Sequence, residues 1–113
     1  MELIKLREDD EFTHIALSGR LDVNGVQQIE QSFTAATAGR GKPALVDISE
    51  VSFLASLGMR MFLNSAKALK LKKTKMALLN PQPLVEDALR SAGLPSVIPI
   101  EYDIDTATGL LKG

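Results

Sequence analysis

Two short apolar runs closed off by turn signals constrain the fold of this chain more than any other feature. Ala44-Leu45-Val46-Asp47-Ile48 follows Gly39-Arg40-Gly41-Lys42-Pro43, and Met76-Ala77-Leu78-Leu79 ends at Asn80-Pro81. Runs of four or five residues are too short for packed helices, and near-continuous apolar character is what a strand buried on both faces requires. Amphipathic helical stripes flank them. Val26, Ile29, Phe33 and Ala36 recur at spacings of three, four and three after Asp22, whose carboxylate can accept a first-turn N–H. Residues 57–71 form a second helix, with Gly58, Phe62, Ala66 and Leu69 on an inner face and Arg60, Asn64, Lys67 and Lys70 opposite. Strands alternating with helices in this way favour a sheet of parallel pairs joined by crossover helices.

The rest of the chain fits the same pattern. Residues 1–7 and 12–17 are strand-like and separated by the acidic turn Glu8-Asp9-Asp10-Glu11, which predicts an opening antiparallel hairpin, with Gly19 ending the second strand. Residues 49–56 are expected to form a loop. Pro83 to Ser91 reads as a third helix closed by Gly93, residues 97–100 as a last strand, and residues 105–111 as a terminal helix. The expected order is β-β-α-β-α-β-α-β-α: one α/β domain over residues 1–113, with a mixed, mostly parallel sheet of four to five strands.

Composition narrows function mainly by exclusion. With no cysteine and one histidine, disulfides, thiolate metal sites and His-cluster zinc sites are ruled out. A net charge of −1 and an aromatic fraction of 4% offer neither a field nor stacking platforms for nucleic acid. Gly39-Arg40-Gly41-Lys42 lacks the spacing of a phosphate loop and follows a helix instead of preceding one. No nucleophile–base pair is evident, so no enzymatic activity and no cofactor are expected, and His14 reads as a strand surface residue. No apolar run approaches a membrane span and the N-terminus lacks a leader pattern, so a cytoplasmic location is expected.

Ser56 is the residue best placed for chemistry. At the start of a helix its hydroxyl can accept first-turn N–H groups as a cap. The same position suits a phosphate, which would gain the helix dipole and the free amides, with Gly58 allowing close approach. Asp22 and Asp47 read first as a helix cap and a strand-end turn, with a rim around Ser56 as the functional alternative. Leu57, Met59 and Leu63 lie at the margin of the apolar stripe; if exposed, they offer a partner apolar contact rimmed by Arg60 and Lys67. Lys67, Lys70, Lys72, Lys73 and Lys75 form a basic run suited to the C-terminal dipole, or more weakly to an acidic partner or anionic surface.

Gly19-Arg20-Leu21-Asp22, Val46-Asp47-Ile48-Ser49, Phe53-Leu54-Ala55-Ser56-Leu57-Gly58 and Leu89-Arg90-Ser91-Ala92-Gly93-Leu94, in this order and spacing, resemble the STAS domains. Among these the chain is most similar to the bacterial anti-sigma factor antagonists. The resemblance implies a protein that binds an anti-sigma factor with serine-kinase activity and is switched off when that kinase phosphorylates Ser56. A phosphatase would reverse the mark. Taken together with the reading of the second helix, partner contacts are expected through Asp22, Asp47, Ser56, Leu57, Gly58, Met59, Arg60 and Leu63, in a monomer or weak dimer. Two positions depart from the family pattern: Ala55 stands where aspartate is usual, and Leu57 where a second serine or threonine is common. The alternative is a STAS subunit that docks constitutively on a transport or signalling complex.

Overall fold

The computed structural model describes residues 1–112. Five strands and four helices alternate as β1 (Glu2–Glu8), β2 (Thr13–Leu21), α1 (Val23–Ala36), β3 (Ala44–Leu54), α2 (Ser56–Leu71), β4 (Met76–Leu79), α3 (Pro83–Ser91), β5 (Ile100–Glu101) and α4 (Ile104–Lys112). They form one sheet in the order β1-β2-β3-β4-β5, with β1 antiparallel to β2 and every other pair parallel. The expected hairpin and crossovers are therefore present. The acidic turn is held by Asp9, whose Oδ1 accepts from the N–H groups of Glu11 and Phe12 at 2.9 and 3.1 Å.

Strand alternation divides the chain between two cores. Ile15, Leu17, Val46, Ile48, Met76 and Leu78 point to one face, where α1, α2 and α3 cover them. Leu45, Ala77 and Leu79 point to the other and meet Ala107 and Leu111 of α4. This is why the two apolar runs lack an alternating pattern: both faces of β3 and β4 are covered. On the larger face the fully buried rings of Phe33 and Phe62 join α1 to α2, with centroids 5.6 Å apart and planes at 54°. That tilted pairing adds about 0.5–1.5 kcal/mol to the burial of two large side chains.

Three sequence expectations are corrected. Gly19 does not end β2. At φ +111° it takes up a register shift between Gly19 and Arg20 against β3, and the strand continues to Leu21. Residues 49–54 are strand and not loop, because β3 stays paired with this extension through Leu54. In the C-terminal region the strand expected over residues 97–100 begins only at Ile100, and Ile100–Glu101 pairs with β4; a 3-10 turn at Leu94–Ser96 precedes it. Leu94 and Ile98 are spent on the core instead.

His14 lies on β2, half-buried, on the face that α4 covers over β3 and β4. Its Nε2 is buried and has no hydrogen-bond partner among the described residues. Burial holds its pKa below the ordinary value, outweighing the attraction of Asp47. The unfolded chain therefore takes up a proton at higher pH than the folded one, and stability falls as pH drops below about 6.5, the model-peptide value. Urea denaturation between pH 7.5 and 5.5 is expected to show this loss, and His14→Gln to flatten it. An unchanged slope in the variant would refute the assignment to His14.

Candidate functional site

The site is built where β2 and β3 end side by side. Leu21 pairs with Leu54, and the Ala55 N–H donates to Leu21 O at 2.9 Å, tying the start of α2 to the end of β2. Asp22 begins α1 at the same place, its Oδ1 accepting the Gly25 N–H at 2.8 Å. Both helices thus begin at this one edge of the sheet.

Two glycines make the approach possible. A Cβ on Gly25 would stand 1.9 Å from Arg20 O, so α1 cannot start where it does with any larger residue. A Cβ on Gly58 would meet Leu54 Cδ1 at 2.8 Å, Leu21 Cβ at 3.2 Å and Leu21 O at 3.3 Å. Gly58 is buried in the first turn of α2, and its lack of a side chain seats that turn on the ends of β2 and β3. The glycine beside Ser56 serves packing against the sheet, not the approach of a ligand.

Ser56 is exposed as the first residue of α2, and Ala55 occupies the cap position. The expectation that Ser56 caps the helix is corrected. The cap side chain is a methyl group that makes no hydrogen bond, and the first turn holds no acidic residue. The positive end of the α2 dipole is therefore left without a side-chain counter-charge of its own. Arg60, one turn on, is exposed and lines the same hollow as Ser56, together with Met59, Leu63 and Leu94. Leu57, Met59 and Leu63 are half-buried against the main core, each leaving only part of its side chain at the surface.

The two aspartates separate. Asp22 stands next to the Ala55–Leu21 contact and caps α1. The Gly25 N–H, then Arg20 with Nε 3.5 Å from Oδ2, hold its carboxyl below the usual range. Asp47 lies on β3, paired with Ala16 and Leu79, and its Oδ1 accepts the Ser49 N–H at 2.9 Å. It stands seven positions before Leu54 along β3, roughly 23 Å at about 3.3 Å per residue. The suggestion that Asp47 joins a rim around Ser56 is corrected accordingly.

Sequence reasoning missed the apolar ground beside this edge. Phe53 is 41% exposed with the Arg20 guanidinium 4.5 Å above its ring, and Leu84 is 78% exposed in the first turn of α3. The two line one hollow with Ala88. Phe53 was hidden by reading 49–56 as loop; once β3 is extended, the alternation that buries Leu54 turns Phe53 outward.

The STAS domain family profile matches residues 4–107. The chain belongs to the STAS family. An anti-sigma factor antagonist from Mycobacterium paratuberculosis superposes with a TM-score of 0.84 at 19% identity, covering 99% of this chain and 96% of that one. The anti-sigma factor antagonist SpoIIAA in its unphosphorylated form gives 0.81 at 24%, covering 99% and 97%. The phosphorylated form of SpoIIAA from Bacillus gives 0.71 at 22%, covering 96% and 98%. The murine anion transporter Slc26a9 gives 0.77 at 16%, covering 94% of this chain but 18% of the transporter. Comparison with curated protein sequences finds no match. No helix among the described residues is long and apolar enough to cross a membrane.

The seating of the STAS domain's α2 can be tested directly. Gly58→Ala gains up to about 1 kcal/mol of helix propensity, but overpacking against Leu21 and Leu54 costs about 1–3 kcal/mol. A net loss is expected in urea denaturation, larger for Gly58→Val; a stabilised Gly58→Ala would refute the close-approach argument. Asp22→Ala removes the α1 cap and is expected to cost about 1 kcal/mol.

Proposed function

We propose that this STAS domain acts as an anti-sigma factor antagonist without catalysis of its own. Its unmodified form docks on an anti-sigma factor that is also a serine kinase, and phosphorylation of Ser56 by that kinase releases it. The observation that carries the reading is the start of α2: an exposed hydroxyl on a helix end that has neither a side-chain cap nor an acidic first-turn residue. A phosphate there adds about −1.5 to −2 charges against the dipole and free amides. Arg60, one turn along on the same hollow, is a ready counter-ion. The likeness to SpoIIAA supports the same direction. His14 lies near the start of β2 and Ser56 beyond the far end of β3, so this histidine is not a base for the serine. A cytoplasmic site of action, reversal by a phosphatase and a monomeric or weakly dimeric state belong to the same proposal.

A second reading has one specific observation in its favour. Ala55 puts a methyl group at the cap, where the family resemblance leads one to expect an aspartate. A domain that docks constitutively, as a subunit of a transport or signalling complex, has no need of a carboxylate to guide a kinase.

Incubation with ATP and a cognate serine-kinase anti-sigma factor separates the two. The switch predicts phosphate on Ser56, none on Ser56→Ala, and partner binding by Ser56→Asp that is weaker by roughly tenfold or more, a like-charge penalty of at least ~1.4 kcal/mol. Unphosphorylated Ser56 together with unchanged affinity of Ser56→Asp would leave constitutive docking.

A further inference from the structure

Charge is segregated along this chain in a way the net value of −1 conceals. Residues 51–85 contain six of the 13 Lys and Arg residues and none of the 14 Asp and Glu residues. Most of that stretch is α2 and the turn after it.

The structure gives the charge a shape. One hollow beside α2 is lined by Ser56, Arg60, Leu63, Lys67 and Leu94, with a volume of about 490 Å³. A second, of about 430 Å³, is lined by Ala66, Lys67, Lys70, Lys75 and Val97. They meet at Lys67, forming one groove along the helix from Ser56 to Lys70, about 21 Å at 1.5 Å per residue. Its floor is apolar, from half-buried Leu63 to buried Ala66, and the opposite wall carries Val97 at 52% exposure. Among the described residues, no acidic side chain lies within ion-pair distance of Arg60, Lys67, Lys70 or Lys75.

We infer that this groove binds an acidic, amphipathic segment of a partner protein, its carboxylates on Arg60, Lys67, Lys70 and Lys75 and its apolar side chains on Leu63, Ala66 and Val97. The inference rests on α2 being the docking surface, but not on phosphorylation of Ser56. Charge complementarity names the occupant's sign, and the recessed apolar floor names its form. A flat anionic membrane meets the lysine tips, whereas Ala66 on the floor is buried. The end of the sheet bearing the Lys72–Lys75 turn also carries the acidic turn 8–11, since Thr13, Ala44 and Met76 are in register there. Single-stranded nucleic acid needs stacking surfaces, and no aromatic residue lines either hollow.

The test uses Ser56→Ala protein, which cannot take phosphate at that position, and a fluorescein-labelled 14-residue helical peptide bearing glutamates along one face and two leucines seven residues apart. Its controls are the same peptide with glutamine for glutamate, phosphatidylserine vesicles, and a single-stranded oligonucleotide. Saturable binding is expected, weakened at least tenfold by the glutamine peptide and at least tenfold by Lys67→Glu/Lys70→Glu. It is expected to fall with salt, and amide shifts should centre on Leu63, Ala66 and Val97. Both lysines are exposed, and the amide spectrum of the double variant is the check that it is folded. Equal binding of the glutamine peptide, an unaffected double variant, shifts elsewhere, or binding to vesicles or oligonucleotide in place of the peptide would each overturn the inference. Since Ser56 is absent throughout, failure here leaves the phosphorylation switch standing, and failure of the switch leaves the groove.

Discussion

The contact between the first turn of α2 and the ends of β2 and β3 sets the position of the whole outer face of α2, Ser56 included. It is a steric matter before it is an energetic one. Gly58 has no Cβ, so the helix settles against Leu21 and Leu54, and the Ala55 N–H reaches Leu21 O. The buried stripe from Met61 to Leu69 then aligns with the face shared by Phe33, and the outer stripe is left at the surface. Ser56, Arg60 and Lys67 stand where they do because a glycine sits two residues after Ser56.

Much of this was legible in the sequence, and the parts that were not have identifiable causes. The apolar runs 44–48 and 76–79 and the stripe Val26, Ile29, Phe33, Ala36 report burial directly, and each proved to be core. What misled were residues whose local and tertiary meanings differ. Gly19 carries a turn signal, yet its positive φ serves a bulge inside a continuing strand. Residues 49–54, expected as loop, are held extended by pairing with β2. Ser56 has the chemistry of a cap, and the helix begins one residue earlier than that role needs, so Ala55 takes the cap position without a polar side chain.

The candidate site was only half legible for a related reason. Ser56, Gly58 and Arg60 are close in sequence and on one helix, so spacing alone places them together. Asp47 sits in a family-like motif but is carried away by the length of β3, which the sequence understated. Phe53 and Leu84 come together across elements, and no local pattern announces such a pairing. The far wall of the α2 groove, from Leu94 to Val97, comes from a 3-10 turn whose short length defeats periodicity.

Every strand in this sheet lies beside its neighbour in sequence. No strand has to be inserted between two that have already formed, so the sheet can grow in the order of synthesis, each addition closing a comparatively short loop. The edge that presents Ser56 needs only β2, β3 and α2, and these are complete by Leu71. The wall across from α2 arrives more than twenty residues later, with residues 94–97. On the ribosome, then, the serine and its helix end can take shape before the cleft beside them exists. A nascent domain would expose Ser56 before the groove beside it is complete.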